Sequence, residues 1–309
     1  MKRKTIEKIL NHKFNSWVSS IPSNYKRLRN LIQENTIITG GAIVSMLLNE
    51  EVSDYDIYFS NKETTFEVAK YYINKFKREN PKYNVNNKKA VNNICVVDNF
   101  GRISIVIKSS GIASSTSKPN DYRFFETLLD PGSPEQESFV DTALSIKNTQ
   151  SKDNKKYSPI FITSNAITLS NKIQIITRFY GSAEEIHKNY DFVHCTNYWT
   201  SKSRELILRP EALETILAKE LKYLDSLYPL CSLFRIRKFI SRGWTINAGQ
   251  ILKIALQLNK LDLNNVDVLE DQLIGVDVAY MMDLINRLRS EKKAKIDDIY
   301  ICKLIDEIF

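Results

Sequence analysis

No stretch of this chain is apolar for long enough to cross a bilayer. Its longest apolar runs, such as Ile103–Ile107, fall far short of the roughly 20 residues that a spanning helix needs. The basic start Met1-Lys2-Arg3-Lys4 leads into the polar, helical stretch Thr5–His12 and not into an apolar signal segment. The expectation is a soluble, cytoplasmic protein with no membrane partner. Cysteine is sparse: Cys95, Cys195, Cys231 and Cys302 stand far apart, with no zinc-knuckle or redox spacing. The adjacent His194 and Cys195 rarely share one metal, so these thiols read as small buried hydrophobes. Also missing are a Gly-x-x-x-x-Gly-Lys-Ser/Thr loop, a Gly-x-Gly-x-x-Gly after a strand, and a Gly-x-Ser-x-Gly elbow. Their absence argues against a P-loop ATPase, a dinucleotide fold and an α/β-hydrolase.

What is present is an ordinary globular balance. The 309 residues are 43% hydrophobic and 26% charged, enough for a real core and for two domains. The net charge is +8 and the pI about 9.1, which makes a polyanionic partner plausible. A Lys- and Asn-rich composition by itself establishes no such partner.

Along the chain, residues 4–34 read as two helices, with Ser23 capping the second. Thr36–Thr39 is short, β-branched and extended, and Gly40-Gly41 breaks it before a helix at Ala42–Leu48. Tyr55–Phe59 alternates like a strand, Lys62–Arg78 is an amphipathic helix, and Asn92–Val97 with Arg102–Lys108 reads as a hairpin. Ser/Thr/Lys/Pro-rich and Lys/Asn/Ser-rich stretches mark an insertion at about 109–158, with one helix starting near Ser133. Strands resume at Ile160–Leu169 and Lys172–Phe179, then a short helix at Ala183–Lys188 and a strand at Phe192–Thr196. From Pro210 the chain turns helical: Leu213, Ile216, Leu217, Leu221 and Leu224 recur at helical spacing, and further helices fit 228–242, 247–259, 276–290 and 297–308. The expected fold class is therefore α+β, a mixed sheet with flanking helices followed by an all-helical C-terminal domain. Its parts are N-terminal helices at 1–35, a catalytic domain at 36–200 carrying the insertion, and a helical domain at 201–309.

The chemistry concentrates in Thr39–Leu48 and Ser53–Phe59. A strand ends in two glycines and a helix begins at once. Glycine lets backbone approach a ligand closely, and a helix start offers unpaired N–H groups and a positive dipole end to phosphates. The next strand opens with Asp54-Tyr55-Asp56, and alternation sends both acids to one side. Two adjacent carboxylates repel each other and favour a cation. Mg²⁺ commonly takes one or two carboxylates together with substrate phosphates.

The segment Gly40-Gly41-Ala42-Ile43, Leu47-Leu48, Asp54-Tyr55-Asp56-Ile57 resembles the catalytic signature of the DNA polymerase β-like nucleotidyltransferase superfamily. The likeness is greatest to the head of CCA-adding enzymes and bacterial poly(A) polymerases. The resemblance implies that Gly40 and Gly41 contact the incoming nucleotide and that Asp54 and Asp56 are catalytic and hold the metal; Ser45, in the helix that follows the glycines, is a further candidate nucleotide contact outside the family pattern. Asn189-Tyr190-Asp191-Phe192 resembles the family's Arg-Arg-Asp-Phe segment without its arginines. The run Arg235–Trp244 resembles its Arg-rich, nucleobase-reading helix and so implies nucleotide contacts by Arg235 and Arg237. Val44 and Ser45 stand where CCA-adding enzymes have Arg-Asp. Gln174 stands near where many members place a third acid, and Asp191 is a candidate to supply it. The resemblance is specific over 36–59 and looser over 160–245.

On this reading the chain is a Mg²⁺-dependent, template-independent transferase. It moves a nucleoside monophosphate from an NTP to an RNA 3′ end (a tRNA-like acceptor included) or another hydroxyl. One alternative is a toxin-like enzyme that nucleotidylates a protein acceptor. The other is a non-catalytic scaffold of the same fold that binds nucleic acid or protein, in a phage setting that would put it in the host cytoplasm. Among the remaining candidates, His194 reads as a hydrogen-bonded core residue, His187 as solvated, and Tyr198 and Trp199 as core or rim aromatics. The oligomeric state is not legible.

Overall fold

The computed structural model describes residues 1–80, 94–99, 101–106, 112–113 and 156–263, with isolated positions at 265, 268, 269, 272 and 302. Most of the 109–158 insertion, its helix near Ser133 and the helices expected at 276–290 and 297–308 lie outside the described residues.

The chain opens with α1 (Arg3–Ser19), whose Ile6, Leu10, Phe14, Trp17 and Val18 form a stripe at helical spacing and are all buried. Burial of each such side chain contributes roughly 1.5–3 kcal/mol. Ser23 opens a 3-10 turn, Ser23–Tyr25, instead of capping α2 (Lys26–Asn35). Then come β1 (Thr36–Thr39), α3 (Gly41–Leu48), β2 (Tyr55–Phe59) and α4 (Lys62–Glu79), the last capped by Asn61, whose side chain accepts from Thr64 N at 2.8 Å. A hairpin of β3 (Cys95–Asn99) and β4 (Arg102–Val106) turns at Gly101, φ +93°. Next are β5 (Ile112–Ala113), β6 (Pro159–Ile162), β7 (Ala166–Leu169) and β8 (Ile173–Ile176). The expected single strand Ile160–Leu169 is split because Thr163 closes a tight turn on Ala166, with backbone N–H to carbonyl at 2.9 Å.

The remaining elements are α5 (Ala183–His187), β9 (Tyr198–Thr200), β10 (Leu206–Ile207), α6 (Pro210–Ala218), β11 (Glu220–Leu221), α7 (Pro229–Ser241), β12 (Thr245–Ile246) and α8 (Ala248–Leu258). Two expectations are corrected here. Phe192–Thr196 is not a strand: Val193–Thr196 forms a 3-10 turn, held by Thr196 Oγ1 donating to Val193 O at 2.8 Å. The helix from Pro210 does not reach Leu221 or Leu224. Lys219, at φ +48°, closes it in the left-handed conformation, and Glu220–Leu221 pairs with β12 in parallel. The helical end therefore also carries a small strand pair.

The main sheet is mixed, in the order β10-β9-β1-β2-β8-β7-β6-β5, parallel only between β2 and β8 among the described strands. Its register sorts the side chains. Ile38, Ile57, Ile175 and Ile167 are cross-strand partners on one face and enter the main core with α1 and α4. On the other face Thr39, Asp56, Gln174 and Thr168 are successive partners, forming a polar row across four strands. Val44 of α3 and Phe192 share a second core with Ile216, Ile236, Trp244 and Ile254, which fastens the helical end to the sheet.

Candidate functional site

Gly40 is the hinge between β1 and α3. Its φ of +87° and ψ of −150° fall in a region that is essentially glycine's own. A Cβ there would stand 3.0 Å from Asp56 Oδ2 and 3.6 Å from the Tyr190 hydroxyl. Gly40 N–H donates to Cys195 O at 3.2 Å, so that group is already engaged. Gly41 differs: a Cβ there would meet nothing within 4 Å. Among the described residues no side chain caps α3, so its first-turn N–H groups, which have no partner in a preceding turn, are open to an anion.

Behind Gly40 the backbone is pinned by Thr39. Its Oγ1 lies 2.8 Å from Asn197 O and 2.8 Å from His187 Nε2. The hydroxyl proton goes to the carbonyl, so His187 donates through Nε2 and leaves Nδ1 as a bare lone pair. Burial, with the nearby charge of Arg209, holds His187 neutral, down to about 3. His187 is thus buried and hydrogen-bonded, not solvated as the sequence suggested. It was misjudged because only tertiary packing brings Thr39 and Asn197 to it. His194 is a core residue as expected, packed among Phe192, Phe239 and Trp244, but its ring nitrogens have no hydrogen-bond partner among the described residues. Trp199 is fully buried and Tyr198 half-buried.

The polar face of the sheet looks across a cavity of about 470 Å³ toward α7. Gly40, Gly41, Ser45, Asp54, Asp56, Asp191 and Arg235 all line it. Arg237 does not, and is exposed. The reason is helical phase: Phe234, Arg235, Lys238, Phe239 and Arg242 recur every three or four residues toward the cavity, and position 237 turns away.

Burial raises the pKa of Asp54, and raises that of Asp56 well above the ordinary carboxylate range, where the charge of Asp54 adds to it. Lys238 acts on both carboxylates in the opposite sense, and Arg235 on Asp56. Neither aspartate has an ion-pair partner within 4.0 Å among the described residues. Asp191, by contrast, is paired: its carboxylate accepts from the guanidinium of Arg235, and its side chain is only 5% exposed. On the far side of Asp56, its direct partner on β8 is Gln174. Arg242 pairs with Glu50 at the cavity's edge.

The donor set fits a small hard cation: two oxygen donors, close together, poorly neutralised, with room beside them. No group of three or more His, Cys, Asp or Glu suited to a metal occurs among the described residues, so phosphate and water oxygens would have to complete the coordination. Lys238 lies within the run Arg235–Trp244 but was not singled out from the sequence, and neither were Asn165, Arg178 or Tyr228. The 235/238/242 spacing carried a signal for Lys238. Nothing local points to the other three, which reach the cavity through sheet register and a distant loop.

Three comparisons bear on this chain. A curated protein from Bacillus phage SPbetaL7, "Gabija anti-defense 2", is 28% identical over 107 residues, 34% of this chain and 27% of that protein. The chain thus spans about a quarter of the curated relative that it matches. Among solved structures, the Thermotoga maritima CCA-adding enzyme complexed with tRNA is similar at 12% identity and a TM-score of 0.39, covering 86% of this chain and 51% of that one. A complex of CCA-adding enzyme with ATP is similar at 13% identity and a TM-score of 0.40, covering 90% and 50%. The sequence pattern of the "Gabija anti-defense 2 family protein" matches residues 8–219. That match takes in more than half of the chain, the glycine pair and both aspartates included, and the chain belongs to the Gabija anti-defense 2 family.

Proposed function

We propose that this chain is a nucleotidyltransferase of the polymerase β-like type, acting for a phage against the Gabija defense. The observation that carries the reading is the convergence of Asp54 and Asp56 with Gly40 and the uncapped start of α3 on one cavity. In this account the triphosphate lies along Gly40, Gly41 and Ser45. Asp54 and Asp56 would hold Mg²⁺, which when bound supplies charge neutralisation at the reacting phosphate. The acceptor oxygen forms a bond to the α-phosphorus, the bond from that phosphorus to the pyrophosphate oxygen breaks, and the hydroxyl proton leaves to water. Catalysis is mainly positioning and electrostatics. Arg235, oriented by Asp191, and Lys238 form the basic wall that faces the nucleotide. In this reading residues 36–200 are the catalytic domain and 201–309 the helical domain, which contributes Arg235 and Lys238 to the site.

The acceptor is an RNA 3′ end, a protein of the defense or another hydroxyl compound. The test is direct. The full chain is incubated with Mg²⁺ and α-labelled NTPs, and tRNA, oligoribonucleotides, protein and small hydroxyl compounds are offered. Label appears on one acceptor class, and the Asp54→Asn/Asp56→Asn variant transfers none. A label transferred equally by that variant, or by neither protein, contradicts the reading.

A second reading is favoured by one observation: Gln174 is Asp56's register partner, and Asp191 is engaged by Arg235, so two acids are left for a metal among the described residues. On that reading the cavity binds a nucleotide without turning it over. Mg²⁺-dependent NTP binding without transfer to any acceptor would select it.

A further inference from the structure

The proposed triphosphate placement uses the glycine side of the cavity, and the cavity continues past Asp56 on the other side. In the sheet row, Asp56 stands between Thr39 beside the glycines and Gln174 on β8, and Thr168 on β7 follows. Beyond Thr168 the turn between β6 and β7 adds Asn165, and β6 adds Phe161. In a phosphoryl displacement the attacking and leaving oxygens are roughly in line. If the leaving pyrophosphate lies over Gly40 and Gly41, the attack comes from the opposite side of Asp56, over Gln174.

That half is built, not merely open. Asn165 is 9% exposed. Its backbone carbonyl accepts from Thr177 N at 2.8 Å, and its Oδ1 accepts from Arg102 at 3.2 Å. The first bond holds the backbone and the second orients the amide, whose Nδ2 is left as a buried donor with no partner among the described residues. A buried unpaired donor costs free energy unless a ligand or water meets it. The hydrogen-bonding groups here, from Asn165, Thr168 and Gln174, are uncharged. The charged groups beside them among the described residues are Arg102, held on Asn165, and Arg178, a guanidinium stacked on the Tyr228 ring at 4.4 Å. Amides and a hydroxyl beside the aromatic face of Phe161 are the chemistry that receives a polyhydroxylated ring. The two guanidiniums, with no acid on the wall itself among the described residues, act against a cationic one.

We infer that the Gln174–Thr168–Asn165 wall is the acceptor subsite and that it takes an uncharged, sugar-like hydroxyl compound. The inference rests on the proposed transfer for the word acceptor, while the sugar site itself stands on the wall alone. Saturation-transfer NMR on the full chain with D-ribose, D-glucose and cationic D-glucosamine tests it, and Mg²⁺·NTP binding is measured separately by calorimetry. The neutral sugars bind, glucosamine binds more weakly, and Asn165→Leu and Gln174→Leu each weaken neutral-sugar binding about tenfold, the loss expected when a buried hydrogen bond is removed. Asn165→Leu, checked for an intact unfolding transition, retains Mg²⁺·NTP binding. Gln174→Glu, which keeps size and adds charge, reverses the preference toward glucosamine. Absence of neutral-sugar binding, equal binding by Asn165→Leu, or a stronger response to glucosamine in the unmodified chain overturns the inference. If the sugars bind as described but no NTP does, the transferase reading fails and the sugar site stands.

Discussion

Gly40 and Asp56 are in steric contact in all but name: a single added carbon on Gly40 would come within 3.0 Å of the Asp56 carboxylate oxygen. The backbone at Gly40 also holds φ +87°, which L side chains rarely adopt. Gly40→Ala is therefore expected to lose about 1–3 kcal/mol of stability from backbone strain and to displace Asp56. Gly41→Ala, with open space at its Cβ, loses much less. Urea denaturation of the two variants side by side measures the difference. Equal destabilisation would contradict the geometry.

The carboxylate pair makes stability depend on pH with a definite sign. Burial holds the carboxyls of Asp54 and Asp56 above the ordinary carboxylate range, and for Asp56 the charge of Asp54 adds to this. The folded chain thus keeps those protons at a pH where the unfolded chain has released them. Stability from this source is full below the ordinary carboxylate pKa and is lost as pH rises through the raised folded values. Without divalent ions, Asp56→Asn is expected to melt at higher temperature than the unmodified chain near neutral pH, with the gap closing in acid. Added Mg²⁺ stabilises the unmodified chain and not the variant. Thermal melts across pH, with and without Mg²⁺, read both effects.

Asp191 and Arg235 serve each other, and the consequence separates two roles. If Asp191 positions Arg235, Asp191→Asn weakens NTP affinity and leaves Mn²⁺ affinity, read by electron paramagnetic resonance, unchanged. A loss of metal affinity would make it a ligand instead. Arg235→Ala strands a carboxylate that is only 5% exposed and is expected to destabilise by about 1–3 kcal/mol, the cost of a buried group left unpaired.

The part of the site that lies within one short stretch was legible in the sequence. Thr36–Phe59 announces its strand, glycine pair, helix and Asp-x-Asp because each follows from local steric preference and side-chain alternation. What pairs with Asp56 was not legible at that level. Gln174 arrives through a parallel register across a long intervening segment, and Arg235 reaches Asp191 by tertiary packing. Phe192–Thr196 looked like a strand because it is a short run of apolar and β-branched residues. Local hydrogen bonding by Thr196, and the use of Cys195 O to hold Gly40 N, turn it into a 3-10 turn instead. At Arg237 the run of arginines was visible but the phase of α7 was not.

Gln174 also offers a gain-of-charge test. An acid there would stand next to Asp56 on the neighbouring strand. An added unit charge about 4 Å from a cation is worth several kcal/mol at an effective dielectric near 20, so Gln174→Glu is expected to tighten Mg²⁺ binding by at least about tenfold. Calorimetric titration of Mg²⁺ measures it, and unchanged affinity would place Gln174 away from the metal.

The account depends most on whether two acids and a glycine hinge together make a metal-assisted triphosphate site. Titrating a non-hydrolysable NTP into the full chain, with Mg²⁺ and with chelator, in the unmodified protein and in Asp54→Asn/Asp56→Asn, tests that most directly. The prediction is binding by the unmodified protein that requires Mg²⁺ and is lost in the double variant. Binding that is indifferent to Mg²⁺ and to both substitutions, or no binding at all, would contradict it.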